Sequence, residues 1–113
     1  QPVSPLIDWE DALDMVEGDV ELLHSLVETA LEEVPELMAQ VRNAMQAGKL
    51  HEACQLAHTT KGALLAIRAI RPAESAVALE AALKANESAP AHNWLVKLED
   101  QFQQLSHVVS SHM

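Results

Sequence analysis

Within Ala57-His58-Thr59-Thr60-Lys61-Gly62, three residue types meet at a spacing that allows chemistry. The run lies inside a stretch that reads as one long helix. Residues three and four apart on a helix share a face, so Lys61 and Gly62 stack beside His58. That face offers an imidazole nitrogen as nucleophile, an ammonium for phosphoryl oxygens, and a gap where a side chain would stand. These are the needs of a histidine that carries a phosphoryl group and presents it to a partner's active site. A glycine inside a helix costs about 1 kcal/mol relative to alanine. Gly62 could serve a close helix crossing, but it lies only about 40° from His58 on the helical wheel, away from the apolar side. Access is the better reason for it.

The elements that must position these residues are helices. Asp8 is a suitable N-cap for a short helix through Val16, ended by Gly18. Asp19 then caps a long segment whose Leu23, Leu26, Ala30, Val34, Leu37, Val41 and Met45 recur at spacings of three and four. Pro35 inside it should kink or reset the helix, and Gly48 closes it. The third helix runs from about Lys49 to Ala69, with Ala53, Leu56, Ala57, Thr60, Leu64 and Ile67 on its apolar side. His58 points about 140° away from that side, which predicts a solvent-facing imidazole, together with His51, Cys54, Gln55, Lys61, Gly62 and Leu65. Pro72 is expected at N1 of a fourth helix reaching about Asn86, with Ala76, Leu79 and Leu83 buried. Ser88-Ala89-Pro90 reads as a connector to a last helix carrying Leu95, Leu98, Phe102, Leu105 and Val109. No strand-like alternation is present. Short links make neighbours antiparallel, so the expected fold is all-α: an up-down antiparallel four-helix bundle with a short additional N-terminal helix. It forms a single domain over 1–113, ordered from about 8 to 109 with flexible termini. The final Ser110-Ser111-His112-Met113 forms no part of the expected fold.

Composition narrows the function. Of 113 residues 49% are apolar but only 3% aromatic, so the core must be built from aliphatic side chains. The formal net charge of −10 argues against nucleic-acid binding, which requires basic stripes. Charge is uneven: no Lys or Arg occurs between Asp8 and Glu36, whereas Lys49, Lys61, Arg68 and Arg71 fall around His58. Cys54 is the only cysteine, which excludes an internal disulfide and favours a reducing, cytoplasmic setting. No apolar run approaches the roughly 20 residues that span a bilayer, and the first residues do not read as a signal peptide. The chain does not begin with Met, which suggests a piece of a longer protein.

Several segments together resemble the histidine-containing phosphotransfer (HPt) domain of bacterial phosphorelays. Asp8-Trp9, Gly18-Asp19 before Leu22-Leu23, and Glu33-Val34-Pro35-Glu36 are similar to the family's opening helices. His58-Thr59-Thr60-Lys61-Gly62 with Ile67 and Ala69 matches its phosphorylation motif, and Leu79-Glu80 is similar to a pair common in the next helix. The resemblance implies that His58 is the phospho-acceptor, Lys61 sits near the phosphoryl oxygens, and Gly62 gives the partner access. Three positions depart from the pattern. Thr60 replaces a usual core leucine, Leu65 occupies an often small position, and Arg68 replaces a common glycine. Cys54, Gln55, Leu65 and Arg68 are expected to contact the partner, although Leu65 could be a scattered surface residue.

The implied activity is that of a phosphocarrier, not an autonomous enzyme. It accepts a phosphoryl group from a receiver-domain aspartate and passes it to another response-regulator receiver. Its partners would be those receivers and that of a hybrid sensor kinase, to which the domain could be tethered in a membrane-bound chain. It would act as a monomer, without membrane contact and without a cofactor of its own, Mg²⁺ residing on the receiver. An alternative is a helical adaptor that binds a receiver or other signalling protein without carrying phosphate. A metal site is disfavoured because the histidines fall on different segments with no ligand-like pair. A Cys54–His58 hydrolase lacks a third group.

Overall fold

The computed structural model describes residues 4–112, and residues 1–3 and 113, which include part of the expected flexible termini, lie outside the described residues. All regular structure is helical: α1 (Trp9–Met15), α2 (Val20–Gln46), α3 (Leu50–Ala66), α4 (Ile70–Lys84) and α5 (Ser88–His112). Helices α2 to α5 form the bundle, with α3 packed between α2 and α4, α5 against α4, and α2 meeting α5. Asp8 and Asp19 cap α1 and α2, each accepting a backbone N–H at 3.0 Å.

Four helix ends share one device. After α1, α2, α3 and α4, the chain enters the left-handed region at Glu17, Gly48, Arg68 and Asn86, with φ of 53°, 74°, 58° and 58°. In each case the following N–H returns to a carbonyl five residues back, as Ala69 does to Leu64 at 2.9 Å. This is the Schellman closure. Glycine suits that conformation best, yet only one of the four is glycine. Helix α3 therefore ends at Ala66, three residues earlier than its sequence suggests. At Arg68 two hydrogen bonds offset the strain: Nε donates to Asp11 Oδ2 at 2.8 Å and a terminal nitrogen donates to the Leu65 carbonyl at 2.6 Å.

Helix α4 has no side-chain cap. Its Arg71 N–H instead donates to the Pro5 carbonyl at 2.9 Å, and the Arg71 guanidinium donates to the Ser4 carbonyl at 2.7 Å. The segment before α1 thus closes the start of α4. Pro72 falls at the third position of α4, not the first, and is buried. Its missing N–H still costs nothing in the first turn. Ser88, Ala89 and Pro90 are not a connector but the first turn of α5, for the same reason. Helix α2 runs unbroken through Pro35, which is exposed and supplies no N–H to the Leu31 carbonyl.

The buried side of α2 is Leu23, Val27, Ala30, Val34, Met38, Val41 and Ala44, rotated slightly from the expected stripe, so that Leu26, Leu37 and Met45 are half-buried. Thr60 is fully buried, and its hydroxyl donates to the Leu56 carbonyl at 2.8 Å, so a polar residue at a leucine-like position leaves no unpaired group. Ser75 donates to Gln101 Oε1 at 2.6 Å and pins α4 to α5 inside the core. Helix α5 continues through Ser110 and Ser111 to His112, beyond the expected fold, and His112 stacks on Trp9 with ring centroids 4.0 Å apart.

Two outcomes test this packing. Leu64→Ala removes a fully buried side chain and should cost about 2–5 kcal/mol in denaturant unfolding, with half-buried Leu56→Ala costing less. Arg68→Ala keeps the left-handed strain and loses both bonds, so Arg68→Gly should be the more stable variant by about 1 kcal/mol.

Candidate functional site

His58 sits in the middle of α3, opposite the side formed by Ala53, Ala57, Thr60 and Leu64, and its side chain is 63% exposed. The packing of that small-residue face against α2 and α4 turns the imidazole outward, as the wheel requires. What periodicity could not show is the partner across the hairpin. Glu80 of α4 places Oε2 3.0 Å from His58 Nδ1 and accepts a hydrogen bond from Lys61 Nζ on Oε1 at 3.3 Å. One carboxylate thus serves two donors on α3, each with its own oxygen.

This arrangement alters the expectation for Lys61. It is half-buried rather than exposed, and Glu80 of α4 receives its ammonium. Partial burial pushes the Glu80 carboxyl up. The hydrogen bonds from Lys61 and His58, and then their charges, outweigh it and hold the carboxyl below the usual carboxylate range. Glu80 was legible only as part of a Leu-Glu pair. Its place beside His58 follows from how α3 and α4 are set against each other, which no spacing within one helix encodes.

The other candidate residues separate into two groups. Gly62 is exposed, and a Cβ built on it would meet nothing within 4 Å, so no helix crossing requires it. Leu65 is 38% exposed and Gln55 is exposed, both available to a partner. Cys54 is half-buried and its thiol donates to the Glu80 carbonyl at 3.7 Å. Cys54, Gln55, His58, Glu80, Leu83 and Lys84 line a groove of about 620 Å³ between α3 and α4. Arg68, by contrast, is committed to Asp11 and to its own helix end. Arg71 grips the N-terminal segment, and Lys49 stands at the start of α3, about 13 Å along the axis from His58. The basic residues clustered in sequence therefore do not gather into one patch, and Lys61 is the member beside His58.

A family model described as the Hpt domain matches residues 25–108, from within α2 to near the end of α5. The chain belongs to the Hpt domain family. Hpt domains are phosphocarrier modules of histidine phosphorelays and interact with receiver domains of response regulators. The match takes in His58, Lys61, Gly62 and Glu80 and leaves out α1 and the segment that closes α4. Comparison with curated proteins and with solved structures returned no match. Among the described residues of this Hpt domain, no helix is long and apolar enough to cross a membrane.

Gly62 provides a direct check on the access argument. With open space around it, Gly62→Ala should raise the unfolding free energy by about 1 kcal/mol, the ordinary helix gain. A loss of stability would mean that close packing, not partner access, requires the glycine.

Proposed function

We propose that this Hpt domain accepts a phosphoryl group on His58 from a receiver-domain aspartate and passes it to the receiver of another response regulator. The observation that carries the reading is the Glu80 carboxylate at His58 Nδ1. An ionised carboxylate can only accept, so the neutral imidazole carries its proton on Nδ1 and keeps a lone pair on Nε2. Nε2 has no protein partner among the described residues, and the ring is largely exposed. The nucleophile is therefore oriented before any partner arrives.

The chemistry balances without a general base on this chain. The Nε2 lone pair attacks phosphorus while the bond to the donor aspartate oxygen breaks, its electron pair leaving with that oxygen. Nδ1 retains its proton, and the ring becomes a phosphoimidazolium facing Glu80. In the second transfer the Nε2–P bond breaks, the pair returns to Nε2, and the acceptor carboxylate takes the phosphoryl group. Such transfers depend on positioning and charge stabilisation. Mg²⁺ and the reacting aspartate would come with the receiver. Gly62, Leu65 and Gln55 supply approachable surface one or two turns from the reacting nitrogen.

The test is transfer from a panel of phosphorylated receivers to the full chain. Acid-labile, base-stable label on the wild type, lost in His58→Gln with helicity retained, is the expected result. Gly62→Leu should fold and yet be labelled at least tenfold more slowly, since the added side chain stands in the approach. Receiver binding with no His58-dependent label across the panel would identify an adaptor instead.

A further inference from the structure

The left-handed turn that ends α3 is held from outside the hairpin. Arg68 stands at φ 58°, a conformation that residues with a Cβ rarely adopt. Periodicity alone carries the helix on to Ala69, so local preference and observed structure disagree at this point. The residues that settle the disagreement lie at the start of the chain. The Asp8 N–H donates to the Arg68 carbonyl at 2.9 Å, and Asp11 accepts from the Arg68 guanidinium. Ahead of Asp8, Ile7 is buried and Leu6 packs against the core. The Ser4 and Pro5 carbonyls both accept from Arg71, and the Ser4 hydroxyl donates to Glu74 at 2.8 Å. Ser4–Ile7 contains no helix or strand, and these bonds fasten it to the first half of α4.

The last turn of α3 depends on that left-handed residue. With Arg68 in place, the Ala69 N–H closes on the Leu64 carbonyl at 2.9 Å and the guanidinium closes on the Leu65 carbonyl at 2.6 Å. This turn carries Leu65, which is 38% exposed. His58 lies two turns away, about 10 Å along the axis. Its partner Glu80 falls between Leu79 and Leu83, the large buried anchors of α4. The first half of α4 buries only Pro72, Ala73, Ser75 and Ala76, whose small side chains hide less apolar surface. Loosening at the start of α4 therefore reaches Leu65 and spares the imidazole. We propose that Ser4–Asp8 is a latch that holds Arg68 left-handed and so fixes the surface around Leu65. Released, it lets Arg68 leave that conformation and opens the closure at Ala69, while His58 keeps its contact with Glu80. A short segment without secondary structure opens at a lower cost than the whole domain. A preceding stretch of chain that draws on Ser4–Ile7 thus has a route to the Leu65 surface. The latch stands without any assumption about phosphate, but its bearing on receiver docking rests on His58 being the phospho-acceptor.

Amide hydrogen exchange on the full chain tests the latch, with Ile7→Ser to unfasten it and Arg68→Gly to remove the strain it opposes. Ile7→Ser should speed exchange at Arg71 and at Ala69 by about tenfold or more, with the His58 ring signals unchanged in NMR spectra. In the Arg68→Gly background the same change should still expose Arg71, which bonds the segment directly, but should alter Ala69 by less than about threefold. Arg71→Met loosens the segment from the α4 side and gives the same comparison if Ile7→Ser does not fold. Equal opening of Ala69 with arginine or glycine at position 68, or no opening at all, would reduce the segment to a local cap and overturn the latch. A shift of the His58 ring signals on release would overturn the separation of the two ends of α4. In transfer assays, Ile7→Ser should raise the receiver concentration for half-maximal labelling about threefold or more and leave the maximal rate unchanged. Loss of transfer in every variant, the wild type included, would count against the carrier role and leave the exchange result standing.

Discussion

One helix of this protein is core on one side and carries the exposed His58 on the other, and the rest of the bundle packs around that division. Helix α3 buries Ala53, Ala57, Thr60 and Leu64 completely. Three of the four are small, so α2 and α4 can approach closely without large side chains between them. Close approach of α4 is what brings Glu80 within reach of both His58 and Lys61. Were this face built of larger side chains, the carboxylate would stand further off and the imidazole would be an ordinary surface histidine. The hidden face therefore sets the chemistry of the visible one.

The polar contacts on the surface divide by purpose. Arg42 with Glu99 ties α2 to α5, and Arg68 with Asp11 ties α1 to the α3–α4 turn. Exposed pairs of this kind are worth little in stability, and their value here lies in fixing how segments meet. The Lys61–Glu80–His58 set differs because its middle member answers to two donors, so a change at one end is felt at the other.

Much of the architecture was legible in the sequence, and the misses have specific causes. The helix count, the caps at Asp8 and Asp19, the outward histidine and the buried stripes of α4 and α5 followed from periodicity and capping residues. The end of α3 did not, because the residue that takes the left-handed turn is Arg68, and its compensating bonds come from a distant aspartate and its own helix end. The prolines were read too strongly as boundaries. At Pro72 and Pro90 a first helical turn tolerates the missing N–H, and α2 continues through Pro35 without a reset. At the candidate site, His58, Gly62 and Leu65 stood where the wheel put them, whereas the half-burial of Lys61 and the bridging by Glu80 belong to the α3–α4 interface. A cluster of basic residues in sequence was also not a cluster in space.

The segment from Ser4 to Asp8 carries a consequence for how the domain is delimited. It contributes no helix and falls outside the region of family similarity. Yet its carbonyls complete the start of α4, its Ile7 enters the core, and its Asp8 N–H meets the Arg68 carbonyl. An excised piece bounded by family similarity would retain the histidine and all its neighbours. It would also leave the hairpin that aligns them open at its closed end. The cooperative unit of this protein is thus larger than its recognisable one, and its edge is drawn by backbone hydrogen bonds rather than by motif.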